Sequence, residues 1–387
     1  MLEVESNVLA LHGEWAQAKA VLKRARTLAE QHDFPSSQMW NMEVFEQRLA
    51  IASGETAAAR EALVRSAARY PEGSRREFPL ILAEVAAAAE DLRDTGAIPA
   101  ERVRSVMERA RRFDWPGFSQ HLGPVAARVC SEALRLGIEP EFARRAIRDR
   151  NLAPPSPFAV HWPWPVRIMA LGTLAIEVDG APLESGPRAQ RKSLDLLKVL
   201  IAHGPAPLDT AVVLDALWPD ADGAAARAAF DMAVMRLRKL LGRSEVLRLD
   251  ASRVGLDSAH VWVDAFAFAQ GATDEYPGPL FGTDAVQPWW AAARERLHQR
   301  FLRRVLERAR ALEGIREFDT ALALYESGLA QDPLAEDLYQ GAIRCHLAAG
   351  RSADALRVFR RCREQLSIVL GVGPSMATQR LVDSART

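Results

Sequence analysis

The chain has 387 residues, 49% of them hydrophobic, which is enough for two or three domains with substantial cores. Lysine plus arginine and aspartate plus glutamate both number 50, so net charge does not advertise a polyanionic partner, and no apolar run approaches the roughly 20 residues of a membrane span. Met1-Leu2-Glu3-Val4-Glu5 lacks the basic start of a signal peptide, so the expectation is a cytoplasmic protein with no membrane partner; Cys130, Cys345 and Cys362 have no metal-ligand spacing and are too few for a disulfide framework.

Residues 1–152 read as helical hairpins. Gly13 with Ala18 and Gly54 with Ala59 share a Gly-x-x-x-x-Ala spacing, as do Gly350 and Ala355 near the other end. The glycine ends one helix, and the small alanine lets the next pack closely. The N-terminal copies lie about 40 residues apart, which predicts a solenoid with a continuous core and a concave face. Trp15, Trp40 and Phe45 are candidates to line that face, although aromatics at helical spacing are more often core. Residues 153–165 hold Pro154, Pro155, Pro157, Pro163 and Pro165, too many for a helix, and mark a linker.

Residues 166–264 then read as strands, three helices and a strand pair. Residues 166–178 give two short strands broken at Gly172, and Asp179-Gly180 is a hairpin signal. Residues 188–202 form an amphipathic helix with Leu194, Leu197, Val199, Leu200 and Ile201 inward. Asp209 or Thr210 caps a second helix that Pro219 ends after Trp218. Gly223 and three alanines open the third, Gly242 closes it, and Phe230, Val234, Leu237 and Leu241 form one buried stripe. At about 100° per residue the far side collects Ala228, Met232, Met235, Arg236, Lys239 and Arg243, flanked by Arg227, Asp231 and Arg238. Val246, Leu249, Val254 and Leu256 alternate around a turn, predicting a wing with Arg253 near its tip. Strands, three helices and a wing make a winged helix. In residues 265–387, Ala321 and Tyr325 recur as Ala355 and Phe359, an offset of 34 that matches the tetratricopeptide period.

The run Phe230-Asp231-Met232-Ala233-Val234-Met235-Arg236-Leu237-Arg238-Lys239 resembles the recognition helix of OmpR-type winged helices. Leu171-Gly172, residues 174–178, Asp179-Gly180, Arg191-Lys192 and Leu217-Trp218-Pro219 are similar to the variant in antibiotic-regulatory-protein-type activators. In that group a bacterial transcriptional activator domain follows. This chain resembles it at Tyr276, Gly278, Leu280, Trp289, Arg294 and Leu297, then at Asp332-Pro333-Leu334 with Glu336, Gly350-Arg351, Leu370-Gly371 and Pro374-Ser375. Leu136-Gly137-Ile138-Glu139, residues 143–150 and Trp162-Pro163-Trp164-Pro165 resemble the junction in MalT-like regulators, where an NTPase and helical repeats precede the same DNA-binding module. No NTPase is expected here, because residues 180–193 hold glycines and a Lys-Ser pair but no Gly-Lys phosphate cradle.

The chain carries no His-Glu-x-x-His, Gly-x-Ser-x-Gly or Cys-x-x-Cys motif, so no catalytic residue, metal or cofactor is assigned and an enzyme is not expected. The expected fold is mainly α: a helical-repeat solenoid, an α+β winged helix-turn-helix and a tetratricopeptide-like C-terminal domain. The expected function is a sequence-specific transcription activator on double-stranded promoter DNA. Arg236 and Lys239 sit in the groove with Met235 in the reading face. Arg227, Arg238 and Arg243 take phosphates or structural pairs, and Arg253 reaches backbone or minor groove. The resemblance implies that the loop from Pro219 to Gly223, with Asp220 and Asp222, contacts RNA polymerase. The C-terminal repeats would organise a homodimer, and the N-terminal repeats would receive a protein or small-molecule signal. The alternatives are a helical-repeat scaffold that does not bind DNA, or the C-terminal piece of a larger NTPase-containing regulator.

Overall fold

A computed structural model describes residues 1–183 and 191–383, divided into two compact units, Met1–Pro163 and Trp164–Thr387. The regular structure of the first unit is helical. It runs through α1 (Leu2–Leu11), α2 (Trp15–Gln31), α3 (Ser36–Ala52), α4 (Thr56–Ala67), α5 (Ser74–Thr95), α6 (Ala100–Arg112), α7 (Gly123–Leu136) and α8 (Pro140–Asp149). Gly13 and Gly54 take φ of +78° and +94°, the left-handed conformation that closes α1 and α3 without a Cβ penalty. Ala18 and Ala59, five residues later, are at most 1% exposed. Trp15 and Phe45, both half-buried, pack against the cluster of Ala10, Ala18, Leu22, Ala29, Met42 and Leu49.

The second unit opens with a sheet. β1 (Val166–Met169) pairs antiparallel with β2 (Ala175–Val178), which pairs with β3 (Ala181–Pro182). Asp179 and Gly180 supply the turn with φ of 51° and 81°, as the dipeptide predicts. Three helices follow: α9 (Arg191–His203), α10 (Thr210–Leu217) and α11 (Gly223–Leu240). Residues 188–190, placed by the sequence in the first of these, lie outside the described residues. β4 (Leu208–Asp209), β5 (Leu247–Leu249) and β6 (Arg253–Leu256) form a second sheet in the order β4-β6-β5, and β7 (Val261–Val263) returns to lie parallel to β1. The architecture is a winged helix whose wing has a third, two-residue strand.

α12 (Asp264–Gln270) leads into α13 (Pro288–Gly314), α14 (Phe318–Gln331), α15 (Glu336–Ala348), α16 (Ser352–Leu370) and α17 (Met376–Asp383). Asp264 fixes the junction, because its carboxylate accepts from the amides of Ala170, Leu171 and Ala265 at 2.7, 3.1 and 2.6 Å. Burial pushes that carboxyl up to about 6 against the opposing pull of those amides. Lys198 of α9 reaches Asp284 at 2.5 Å and lies 5.3 Å from the Trp290 ring, so the winged helix and α13 are braced within one unit. At the position 34 residues before Gly350 of the repeat (φ +71°) stands Arg316, which adopts the same left-handed backbone at φ 65°. Two motif residues of this region, Glu336 and Asp332, hold local structure. Glu336 accepts from the Ser375 amide at 2.7 Å and from the Thr378 hydroxyl, tying the start of α15 to α17. Asp332 accepts from the Leu334 amide at 2.9 Å. All three cysteines are free and buried, and burial raises each thiol, Cys130 to about 12. The chain is mainly helical, and no described helix is long and apolar enough to cross a membrane.

Candidate nucleic-acid interface

α11 is fixed at both ends. Asp222 caps it by accepting from the Ala225 amide at 2.8 Å, and Gly242, at φ 68°, follows its C-terminus. Ala226, Phe230, Ala233, Val234 and Leu237 are buried, as the apolar stripe predicts, so the opposite face points away from the core. Eighteen residues give roughly 27 Å of helix, enough to lie along a major groove. Beside it, Asp209 caps α10 through the Ala211 amide at 2.8 Å, and the Thr210 amide donates to the Ser252 carbonyl at 2.7 Å. The wing is thereby tied to the helix-turn-helix.

The sequence-predicted cations separate by their partners. The Arg236 and Lys239 side chains are exposed and make no hydrogen bond or ion pair with any described residue. Arg253 is exposed at the start of β6, its amide held by Asp250 at 2.8 Å while its side chain is not engaged by any described residue. Arg227 pairs with Asp231 at 3.3 Å, one helical turn on, and lies 5.3 Å from the Phe230 ring. Arg238 is half-buried and donates to the Leu247 carbonyl at 3.0 Å, bracing α11 against β5. Of the two roles expected for it, phosphate contact or structural pair, the structure shows a structural bond, to a backbone carbonyl. Arg243 turns back to Asp179 at 2.6 Å, in the turn between β2 and β3.

Met232 and Met235 stand on the same face, 43% and 54% exposed, giving it apolar as well as cationic character. Of the two loop aspartates, Asp222 is the helix cap, whereas Asp220 is exposed and engaged by no described residue. Sequence reasoning missed Arg248, exposed on β5 and paired with Asp257 at 2.8 Å, and the Asp179 partner of Arg243. Neither pairing has a local signal, since Asp179 lies 64 residues from Arg243. Chemically, the surface offers three cations that no described residue engages, two thioether side chains and a polar wing, an arrangement suited to phosphates and base edges.

Residues 241–386 match the bacterial transcriptional activator domain. That match supports a regulator of the transcription-activator type. No curated protein sequence matches the chain. Among solved structures, Mycobacterium tuberculosis EmbR in complex with a low affinity phosphopeptide is similar at 22% identity and a TM-score of 0.44, covering 57% of this chain and 65% of that one. The chain thus spans less than two thirds of that structure's length.

Proposed function

We propose that this chain is a sequence-specific DNA-binding regulator that activates transcription in the cytoplasm. An OmpR-type winged helix at residues 166–264 binds promoter DNA, with a tetratricopeptide-like activator domain at 265–387 and signal-receiving repeats at 1–152 joined through the linker at 153–165. The observation that carries this reading is the face of α11, where Arg236 and Lys239 are exposed and unengaged opposite a fully formed core stripe. An unpaired cation pair on a capped, exposed helix beside a wing is what a phosphate backbone neutralises. The zero net charge is no obstacle, because DNA responds to charge within a Debye length of about 8 Å, not to the sum over the chain.

Arg236 and Lys239 enter the groove with Met235, and Arg253 reaches the backbone or minor groove from the wing. Arg227, Arg238 and Arg243 hold the surface in shape through their protein partners. Asp220 meets RNA polymerase, and the C-terminal helices bring two copies together. The methionines and the neutral charge favour a second reading, a scaffold that has kept the fold without DNA affinity. Binding of the full chain to duplex DNA across a salt series separates the two. The regulator weakens steeply as salt rises, whereas a scaffold shows no saltable binding at any concentration.

A further inference from the structure

Within the N-terminal unit, a pocket of about 400 Å³ opens among α1, α3, α5 and the turn before α7, a volume that suits a small molecule. Part of its wall is aromatic. Phe78 and Trp115 stack with centroids 4.2 Å apart and an interplanar angle of 8°, and Trp40 and Phe45 of α3 complete the lining. The lining carries one cation, Arg48, beside the amides of Asn7, Asn41 and Gln120. Its guanidinium carbon is 5.3 Å from the Trp115 centroid, and Nη1 donates to Gln120 Oε1 at 2.7 Å.

No described carboxylate pairs with Arg48, and its Nε is buried without a partner. Trp40 Nε1, on the same wall, is also buried and unpartnered. Burial lowers the Arg48 guanidinium to about 10, and the charged group acting on it is another cation, Arg150. A guanidinium partly withdrawn from water and paired with no described carboxylate favours an anion, so Arg48 beside the stacked rings describes a site that an anionic aromatic group would complete. Glu3 stands among the lining residues on the exposed surface of α1, which disfavours multiply charged anions. An organic cation is disfavoured as well, because Arg48 already occupies the Trp115 face that would attract it.

We propose that this pocket binds a small planar aromatic monocarboxylate, its carboxylate beside the Arg48 guanidinium and its ring against the Phe78 and Trp40 side chains. The site stands whether or not α11 binds DNA, since it is read by direct binding. Calorimetric titration of the full chain with 1-naphthoate, neutral 1-naphthamide and 1-naphthylmethylammonium tests it. The carboxylate binds one to one, with the amide and the ammonium each weaker by about tenfold or more, the ratio expected for loss of one charge-assisted contact. Arg48→Met removes the preference for carboxylate over amide, whereas Phe78→Ala weakens both probes together. Arg48→Lys, which keeps the charge and loses the fork, gives an intermediate ratio and serves as the test should Arg48→Met fail to fold. Equal binding of carboxylate and amide overturns the proposal. So does an unchanged ratio in either Arg48 variant, or no heat from the wild-type chain at about 1 mM naphthoate, a concentration corresponding to only about 4 kcal/mol of binding.

Discussion

Removing Arg236 and Lys239 together, as an Arg236→Ala, Lys239→Ala double variant, should abolish much of the salt dependence of DNA binding without unfolding the chain. Both side chains are exposed on α11 and engaged by no described residue, so their loss leaves no protein group unpaired. Each phosphate contact contributes a slope of about −0.9 in log affinity against log salt, and raising salt from about 50 to about 200 mM therefore weakens binding about 3.5-fold per contact. The three unengaged cations, Arg236, Lys239 and Arg253, together account for about a 40-fold loss over that range, of which the double variant retains only about 3.5-fold. Where either residue reads a base edge instead, its removal costs about 1 to 3 kcal/mol on cognate DNA. The assay is fluorescence anisotropy on a mixed-sequence duplex across the salt series, with thermal melts alongside. Arg238→Ala is the contrast. It loses a hydrogen bond to the Leu247 carbonyl and should cost about 1 kcal/mol of stability, with a smaller change in salt slope. An unchanged slope in the double variant refutes the assignment of this face to phosphate.

The two loop aspartates should behave differently. Asp220→Ala leaves DNA affinity intact or slightly improved while lowering transcription in a reconstituted assay, whereas Asp222→Ala loses the α11 cap and costs about 1 kcal/mol in chemical denaturation. Gly341→Ala should destabilise the second unit by about 3 kcal/mol, read by urea melts, because a Cβ there would meet Tyr325 Cζ at 2.1 Å and that ring is fully buried. His121, held at about 4 by burial and by Arg48, stays neutral in the folded chain while the unfolded ring takes a proton from its ordinary 6.5 downward. Its contribution is complete above that value and is lost as pH falls towards 4, by about 2 kcal/mol after allowing for its partial exposure, and His121→Asn should flatten this window in denaturation profiles. A fragment beginning at Trp164 should fold and bind DNA alone, since residues 164–387 form their own compact unit; an insoluble fragment beside a folded full chain would contradict this.

Much of the winged helix was legible. The Phe230, Val234, Leu237 and Leu241 stripe is buried as its spacing predicts, and Asp209, Asp222 and Asp179-Gly180 cap and turn where their chemistry suits the backbone. The third wing strand was not legible, because two residues, Leu208 and Asp209, are too few to show a period of two. The Gly-x-x-x-x-Ala spacing revealed the hairpins, yet Arg316 occupies the equivalent backbone position without the glycine, invisible to a residue pattern because only φ is shared.

The exposed face of α11 could be listed from the sequence, but which of its cations are available could not. Arg227 is engaged four residues away, Arg238 by a carbonyl nine residues on and Arg243 by an aspartate 64 residues back, and the last two of these required strands to close beside the helix. The Arg48 pocket is the same case carried further, assembled from α1, α3, α5 and the Trp115 to Gln120 turn. Helical periodicity and capping act over one or two turns of chain and so are written locally in the residues. Pairing of long polar side chains depends on which distant backbone arrives within about 3 Å of them, a distance that no local spacing encodes and only the packed tertiary structure sets.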